Sequence, residues 1–178
     1  MMLFLLAAGW MLTYANRTVL YPLLAIIAAD YSLSSADVGL LTGSYFFTYL
    51  LLQVPAGILG DRLGMRRVLL WTYAVAAVGA IGLGLVIGNY PAMIFCMALH
   101  GLGAGGFYPA SFGMMMQKVL PHKRAFSSSL IGIGMALGLL AGMTASGSLY
   151  EIYRDIRVPI LLLALPSILM FCLFYRYL

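Results

Sequence analysis

Charge is what this sequence has least of. Its 178 residues include five Asp or Glu and ten Lys or Arg, 8% in all, against roughly a quarter in an ordinary soluble domain. A surface that meets water on every side cannot be built from so few charges, which excludes a soluble enzyme and a nucleic-acid partner. Hydrophobic residues make up 63% of the chain, which excludes a disordered one. The acids are scattered from Asp30 to Asp155 without a cluster, leaving nothing to hold a metal. Cysteine is as sparse: Cys96 and Cys172 lie in apolar runs and read as small hydrophobes rather than a disulfide or metal pair. No cofactor is expected.

Long apolar runs fill the rest. They cover about 3–28, 38–60, 68–88, 91–116, 126–148 and 158–176, each near the 20 or so residues with which a helix crosses a bilayer. The runs are continuous, whereas barrel strands alternate over about ten residues. The expected fold is an all-α membrane protein: one bundle of six transmembrane helices over residues 1–178, seated in the lipid bilayer. The first run lacks the basic start of a signal peptide and continues past the length of its apolar core, so it counts as a span.

The few charges are placed unevenly. Arg62, Arg66, Arg67, Lys118, Lys123, Arg124 and Arg176 fall on one side of the expected bundle with Asp61; Arg154 and Arg157 fall on the other with Asp30, Asp37, Glu151 and Asp155. Cytoplasmic loops carry the excess of Lys and Arg, so both termini are expected in the cytoplasm, at a bacterial plasma (inner) membrane. An internal repeat accompanies the asymmetry. Gly57, Leu59, Asp61, Arg67 and Val68 recur as Gly147, Leu149, Glu151, Arg157 and Val158. Three spans separate the copies, so they lie on opposite faces, as in an inverted repeat of three plus three helices.

The first copy belongs to the densest motif of the chain, Gly57-Ile-Leu-Gly-Asp61-Arg62-Leu-Gly64-Met-Arg66-Arg67, at the junction of runs 2 and 3. Gly64 suits the positive φ of a tight reversal, and Gly57 suits close helix approach. Asp61 ends one helix and Arg66 and Arg67 begin the next, each the unfavourable end for the helix dipole. Topology explains the arginines but not the acid; a breakable charge network explains both. The string resembles the signature loop between the second and third helices of the major facilitator superfamily. The six spans, their orientation and the repeat are similar to one half of that fold. The resemblance implies a gate, with Asp61 as the latch acid, Arg62, Arg66 and Arg67 as its partners, and Gly57 and Gly64 shaping the loop.

Arg17 is the only Lys or Arg in the interior of a run. At 1.5 Å per residue it lies roughly 20 Å from the face with the termini and about 10 Å from the other. An arginine at such depth is costly and turns to a cavity or a partner. Polar groups fall at similar depth: Tyr14 and Asn16 beside it, Tyr45, Tyr49 and Gln53 on one face of run 2, and His100 in run 4. A guanidinium takes carboxylate or phosphate as a bidentate fork, so these seven residues point to an organic anion. Tyr14-Ala-Asn16-Arg17 is similar to the Y-x-[DN]-R of the anion:cation symporter branch, which implies coupling to a proton or sodium. Two positions depart from that branch: Asn16 stands where an acid is frequent, and Met97 where span 4 usually has arginine. With no Asp or Glu inside a span, only His100 could titrate near neutrality.

The glycines of runs 4 and 5, Gly101, Gly103, Gly105, Gly106, Gly132, Gly134, Gly138 and Gly142, are expected to let helices touch through their backbones. Pro109 and Pro166 are expected as kinks. Run 5 lacks the Gly-Pro pair of the drug-exporting branch. The expected function is that of a half-length secondary transporter for a small organic anion, completed by a second six-helix half or a second copy of the chain. The alternative is a non-transporting partner, or a truncated fragment, that keeps the fold. Catalysis is not expected: no serine context accompanies His100 for an intramembrane protease.

Overall fold

A bilayer offers no hydrogen-bond partner to the backbone, so each crossing segment must satisfy its own N–H and C=O groups, and helices do so segment by segment. The computed structural model describes all 178 residues and contains eight α-helices and no strand: α1 (Met2–Thr18), α2 (Leu24–Asp30), α3 (Ser35–Leu63), α4 (Met65–Leu85), α5 (Tyr90–Lys118), α6 (Arg124–Tyr153), α7 (Arg157–Ala164) and α8 (Pro166–Tyr177). They form six spans long and apolar enough to cross a membrane. Span 1 is α1 and α2, spans 2 to 5 are α3 to α6, and span 6 is α7 and α8.

Local chemistry sets the ends. Ser34 caps α3 in a reciprocal box: its hydroxyl accepts from the Asp37 N–H (3.2 Å) and its own N–H donates to the Asp37 carboxylate (2.9 Å). The Asn89 side chain caps α5 by accepting from the Ala92 N–H at 3.2 Å. Gly64 alone separates α3 from α4, at φ +93°. Span 1 is interrupted at Tyr21–Leu23, a 3₁₀ turn containing Pro22, because proline has no N–H for the helical ladder. The two expected kinks part company. Pro166 stands where α7 gives way to α8. Pro109 lies inside an unbroken α5, which spans 2 and 3 pack on both sides. Of the two thiols, Cys96 is buried as expected, but Cys172 is exposed on span 6.

Within lipid the hydrophobic effect does not drive helices together, and close backbone packing takes its place. Glycines make that contact here. On α5, a Cβ at Gly101 would strike the Tyr45 carbonyl, and one at Gly105 the Tyr49 carbonyl, both on α3. The other side of α5 meets α4, where a Cβ at Gly103 would meet the backbone of Thr72 and Ala76. On α6, Gly134, Gly138 and Gly142 press on Ala7, Met11 and Ala15 of α1. Hydroxyls add bonds along the same seams: Thr48 donates to the Ala98 carbonyl at 2.7 Å and Ser146 to that of Val19 at 2.6 Å.

These contacts carry the symmetry of the repeat. Span 1 packs on span 5 and span 2 on span 4; exchanging the first three spans with the last three turns one pair into the other. Spans 3 and 6 exchange likewise, and each begins with an arginine that reaches the end of its mate. Arg66, opening span 3, donates to the Tyr175 carbonyl near the end of span 6 at 2.7 Å. Arg157, opening span 6, reaches the Ile87 carbonyl just past span 3 at 3.4 Å. A cation at a helix C-terminus is favourably placed, and the two contacts sit on opposite faces of the bundle.

Spans 2 and 5 each rest chiefly on one neighbour and leave the far side bare. Phe47, Leu50 and Val54 on span 2, and Ile133 and Leu140 on span 5, are exposed. A Cβ at Gly39, Gly43 or Gly132 would meet nothing within 4 Å.

Gly138→Leu should therefore lower the unfolding midpoint in detergent, with an overpacking cost of about 3 kcal/mol or more because the obstacle is backbone. Gly132→Ala should keep or raise the midpoint, by up to about 1 kcal/mol of helix propensity. Thermal unfolding followed by circular dichroism checks both.

Candidate functional site

Arg17 ends α1 one residue before its last, and the 3₁₀ turn that follows brings Tyr21 back over it. Its Nε donates to the Tyr21 hydroxyl at 3.1 Å. The guanidinium carbon lies 4.6 Å from the centre of the Phe46 ring, 5.2 Å from Tyr14 and 5.5 Å from Tyr45. Aromatic faces are electron-rich, and such contacts stabilise a desolvated cation by about 2 kcal/mol. Arg17 is half-buried and held by rings rather than by a carboxylate. With Nε engaged, its two terminal nitrogens, the pair that forms a fork, are left for another partner.

The rings continue as a strip. Tyr45 stacks on Tyr49 at 5.9 Å, one turn apart on α3, and Gln53 lies beside the Tyr49 hydroxyl one turn further. On span 1, Trp10 packs edge-on to Tyr14 at 4.9 Å and contacts Phe107 and Tyr108 of α5 at 5.4 and 5.6 Å. Spans 1, 2 and 4 thus share a face of aromatic and amide groups around one positive charge.

Of the seven expected site residues, Arg17, Tyr14, Tyr45, Tyr49 and Gln53 are brought together on this face. Asn16 and His100 are not. Adjacent residues of a helix point about 100° apart, so Asn16 turns from Arg17 into the bundle, where it is buried and donates to the Ser167 hydroxyl at 2.9 Å. His100 is buried behind Tyr45, with ring centres 5.3 Å apart and Nδ1 2.9 Å from the Ala76 carbonyl. Tyr21, Phe46, Trp10 and Tyr108 were not among the expected residues. Tyr14 and Tyr21 flank Arg17 at i−3 and i+4, the spacing of neighbours on a helix surface, and that signal could have found Tyr21.

The Gly57–Arg67 motif lies at the junction of spans 2 and 3. Gly64 has the anticipated positive φ. Gly57 does not mark the tightest approach, since a Cβ there would lie an ordinary 3.9 Å from Pro109; at Gly60 it would collide with Met65. Arg66 is committed to the Tyr175 carbonyl, while Asp61, Arg62 and Arg67 are exposed. On the opposite face, the second copy of the motif contributes Arg154, Asp155 and Arg157 to a polar pocket of about 340 Å³ that Asp30, Tyr31 and Tyr150 also line.

The sequence profile of the Major Facilitator Superfamily matches residues 6–178. Over 152 residues the chain is 30% identical to the human voltage-gated purine nucleotide uniporter SLC17A9, covering 83% of this chain and 35% of that protein. Identity to the chloroplastic ascorbate transporter of Arabidopsis thaliana is 33% over 126 residues, covering 67% of this chain and 22% of that one. A solved structure of a bacterial homolog to the human lysosomal transporter Spinster, inward-facing and occupied, matches with a TM-score of 0.87 at 19% identity, covering 97% of this chain and 43% of that one. The chain thus spans about a third or less of the length of these two relatives and under half of the solved one.

If Arg66 holds the end of span 6, Arg66→Ala should speed hydrogen exchange in the last turn of α8, residues 174–177. Arg67→Ala should leave that turn unchanged. Exchange followed by mass spectrometry distinguishes the two.

Proposed function

This chain belongs to the major facilitator superfamily, and on that footing we propose that it forms one six-helix half of a transporter that moves a small organic anion by alternating access. One observation carries the reading: Arg17, the single cation inside a span, is held by aromatic rings with its terminal nitrogens uncommitted. Buried cations in membranes persist where they face a cavity or partner, and a free guanidinium fork suits carboxylate or phosphate. Arg17 supplies the charge contact; Tyr14, Tyr45, Tyr49 and Gln53 supply hydroxyls, an amide and ring faces. The similarity to a purine nucleotide uniporter and an ascorbate transporter supports an anion and supports carriage rather than catalysis.

Family sites form between two six-helix halves. The bare sides of spans 2 and 5, with glycines open to a new neighbour, support docking there of a second half or a second copy. In a two-fold pair of copies, two Arg17 side chains would share one cavity, which suits a dianion. Asp61 then finds its partner across the halves, which accords with its exposure here. The excess of Lys and Arg on the face with the termini supports cytoplasmic termini, in a bacterial inner membrane, with a proton or sodium as the coupling ion.

The test is binding and uptake of phosphate, ascorbate, glutamate and ATP by the full chain in liposomes, with its oligomeric state read by native mass measurement. At least one anion should bind and enter. Arg17→Gln should abolish this while the protein stays folded, and Arg17→Lys should lose at least about tenfold, since ammonium makes no planar fork. Uptake of every anion by Arg17→Gln at the wild-type level would remove Arg17 from the site, and failure of every anion would favour a non-transporting partner.

A further inference from the structure

Spans 3 and 6 do not close on each other along their whole length. At the face away from the termini they touch, and a Cβ at Gly84 of span 3 would strike Leu161 of span 6. Further along, two adjoining cavities open between them on the outside of the bundle. One, of about 230 Å³, is lined by Leu70, Trp71, Ala74, Phe171 and Tyr175. The other, of about 320 Å³, shares Ala74 and Phe171 with it and runs on to Ile81 and Ile168. Every lining side chain is apolar or aromatic. At 1.5 Å per residue the stretch from Leu70 to Ile81 is about 16 Å long, close to one leaflet of a hydrocarbon core about 30 Å thick.

Charge gathers at one end of this groove. Arg67 stands three and four residues before Leu70 and Trp71, the spacing of neighbours on one helix face. Helix side chains tilt toward the N-terminus, so Arg67 reaches from span 3 toward the membrane surface. The Arg66 guanidinium carbon lies 6.0 Å from the centre of the Tyr175 ring, and Arg176 follows Tyr175 in the chain. All three arginines are exposed; Asp61, the acid of this face, belongs to span 2. Trp71 is 75% exposed, and Trp and Tyr rings are the side chains that settle where hydrocarbon meets headgroups.

We propose that this groove holds an anionic phospholipid of the leaflet on the side of the termini. One acyl chain lies along Ala74 and Phe171, and the phosphate sits among Arg66, Arg67 and Arg176. Within a bilayer the chain brings no hydrophobic gain, since lipid tails are as apolar as leucine; it restores the contacts that an unfilled groove forfeits. The guanidinium groups choose the headgroup, because a cation at the membrane surface favours anionic lipid by about fivefold. The groove lies on spans 3 and 6, apart from the bare sides of spans 2 and 5, and the proposal stands independently of the Arg17 site.

Tryptophan fluorescence of the full chain tests it. The chain is reconstituted in vesicles of phosphatidylcholine and phosphatidylglycerol, in which one lipid or the other carries bromine on its acyl chains and quenches indole on contact. There are two tryptophans; Trp10 is buried, and Trp71→Phe gives its share of the signal. Quenching of Trp71 should show phosphatidylglycerol preferred by at least about fivefold. Arg67→Gln with Arg176→Gln leaves the Arg66 bond to the Tyr175 carbonyl in place and should lower the preference by at least about fivefold. Ala74→Leu fills the groove where the two cavities meet and should lower it with every charge kept. Lys118→Gln, at the end of α5 on the same face, should leave it unchanged. If a variant fails to fold, the wild-type preference is a test by itself. Equal quenching by the two lipids in the wild type, or an undiminished preference in either groove variant, overturns the proposal. So does the absence of quenching by both lipids, the result expected if a second copy of the chain covers the groove.

Discussion

The structure follows from a solvent that offers no hydrogen bonds. In hydrocarbon every backbone group must find its partner within the protein, which dictates helices, and lipid tails deprive those helices of a hydrophobic reason to associate. What remains is contact at short range. Glycines at four-residue spacing put helical backbones against each other on two of the three main seams, Gly101 and Gly105 on α3 and Gly134, Gly138 and Gly142 on α1. Beside these seams, Phe46 and Tyr45 of span 2 lie against Arg17 of span 1.

The same solvent explains why polar groups are concentrated in a few places. Hydroxyls of Thr13, Thr18, Thr48 and Thr72 bond to carbonyls of their own or neighbouring helices and leave no donor free. Arg17 is different because a guanidinium has more donors than its surroundings absorb. Asn16 and His100 are different because one atom of each is left over. Satisfied polar groups hold helices together.

The sequence announced those features that are chemically conspicuous on their own. Six apolar runs need no partner to be recognised, Gly64 stands alone between two helices, and one arginine in the interior of an apolar run is an outlier wherever it points. Features that depend on the rotation of one helix relative to another were hidden. Asn16 and Arg17 are neighbours in the chain yet face different helices, and nothing local says which one looks outward. Phe46 joins the site because of how α3 is turned, while Gly60 rather than Gly57 is the closer approach because Met65 folds back across the junction. The mirrored arginines are half legible: the repeat pairs Arg67 with Arg157, whereas the contact on the first side is made by Arg66. A one-residue offset is enough to change which side chain reaches a helix end.

The junction at Gly64 bears on how such a bundle can move. Adjacent Cα atoms are 3.8 Å apart, and a single residue separates α3 from α4. A joint that short has no slack to pay out, so span 2 cannot slide along the membrane normal by a helical turn while span 3 stays in place. It can swing, because a glycine at φ +93° tolerates torsional adjustment that other residues resist. Any displacement of span 2 must therefore take the form of rotation about the junction. The junction is thus built as a hinge, too short to slide and glycine-jointed so that it can turn.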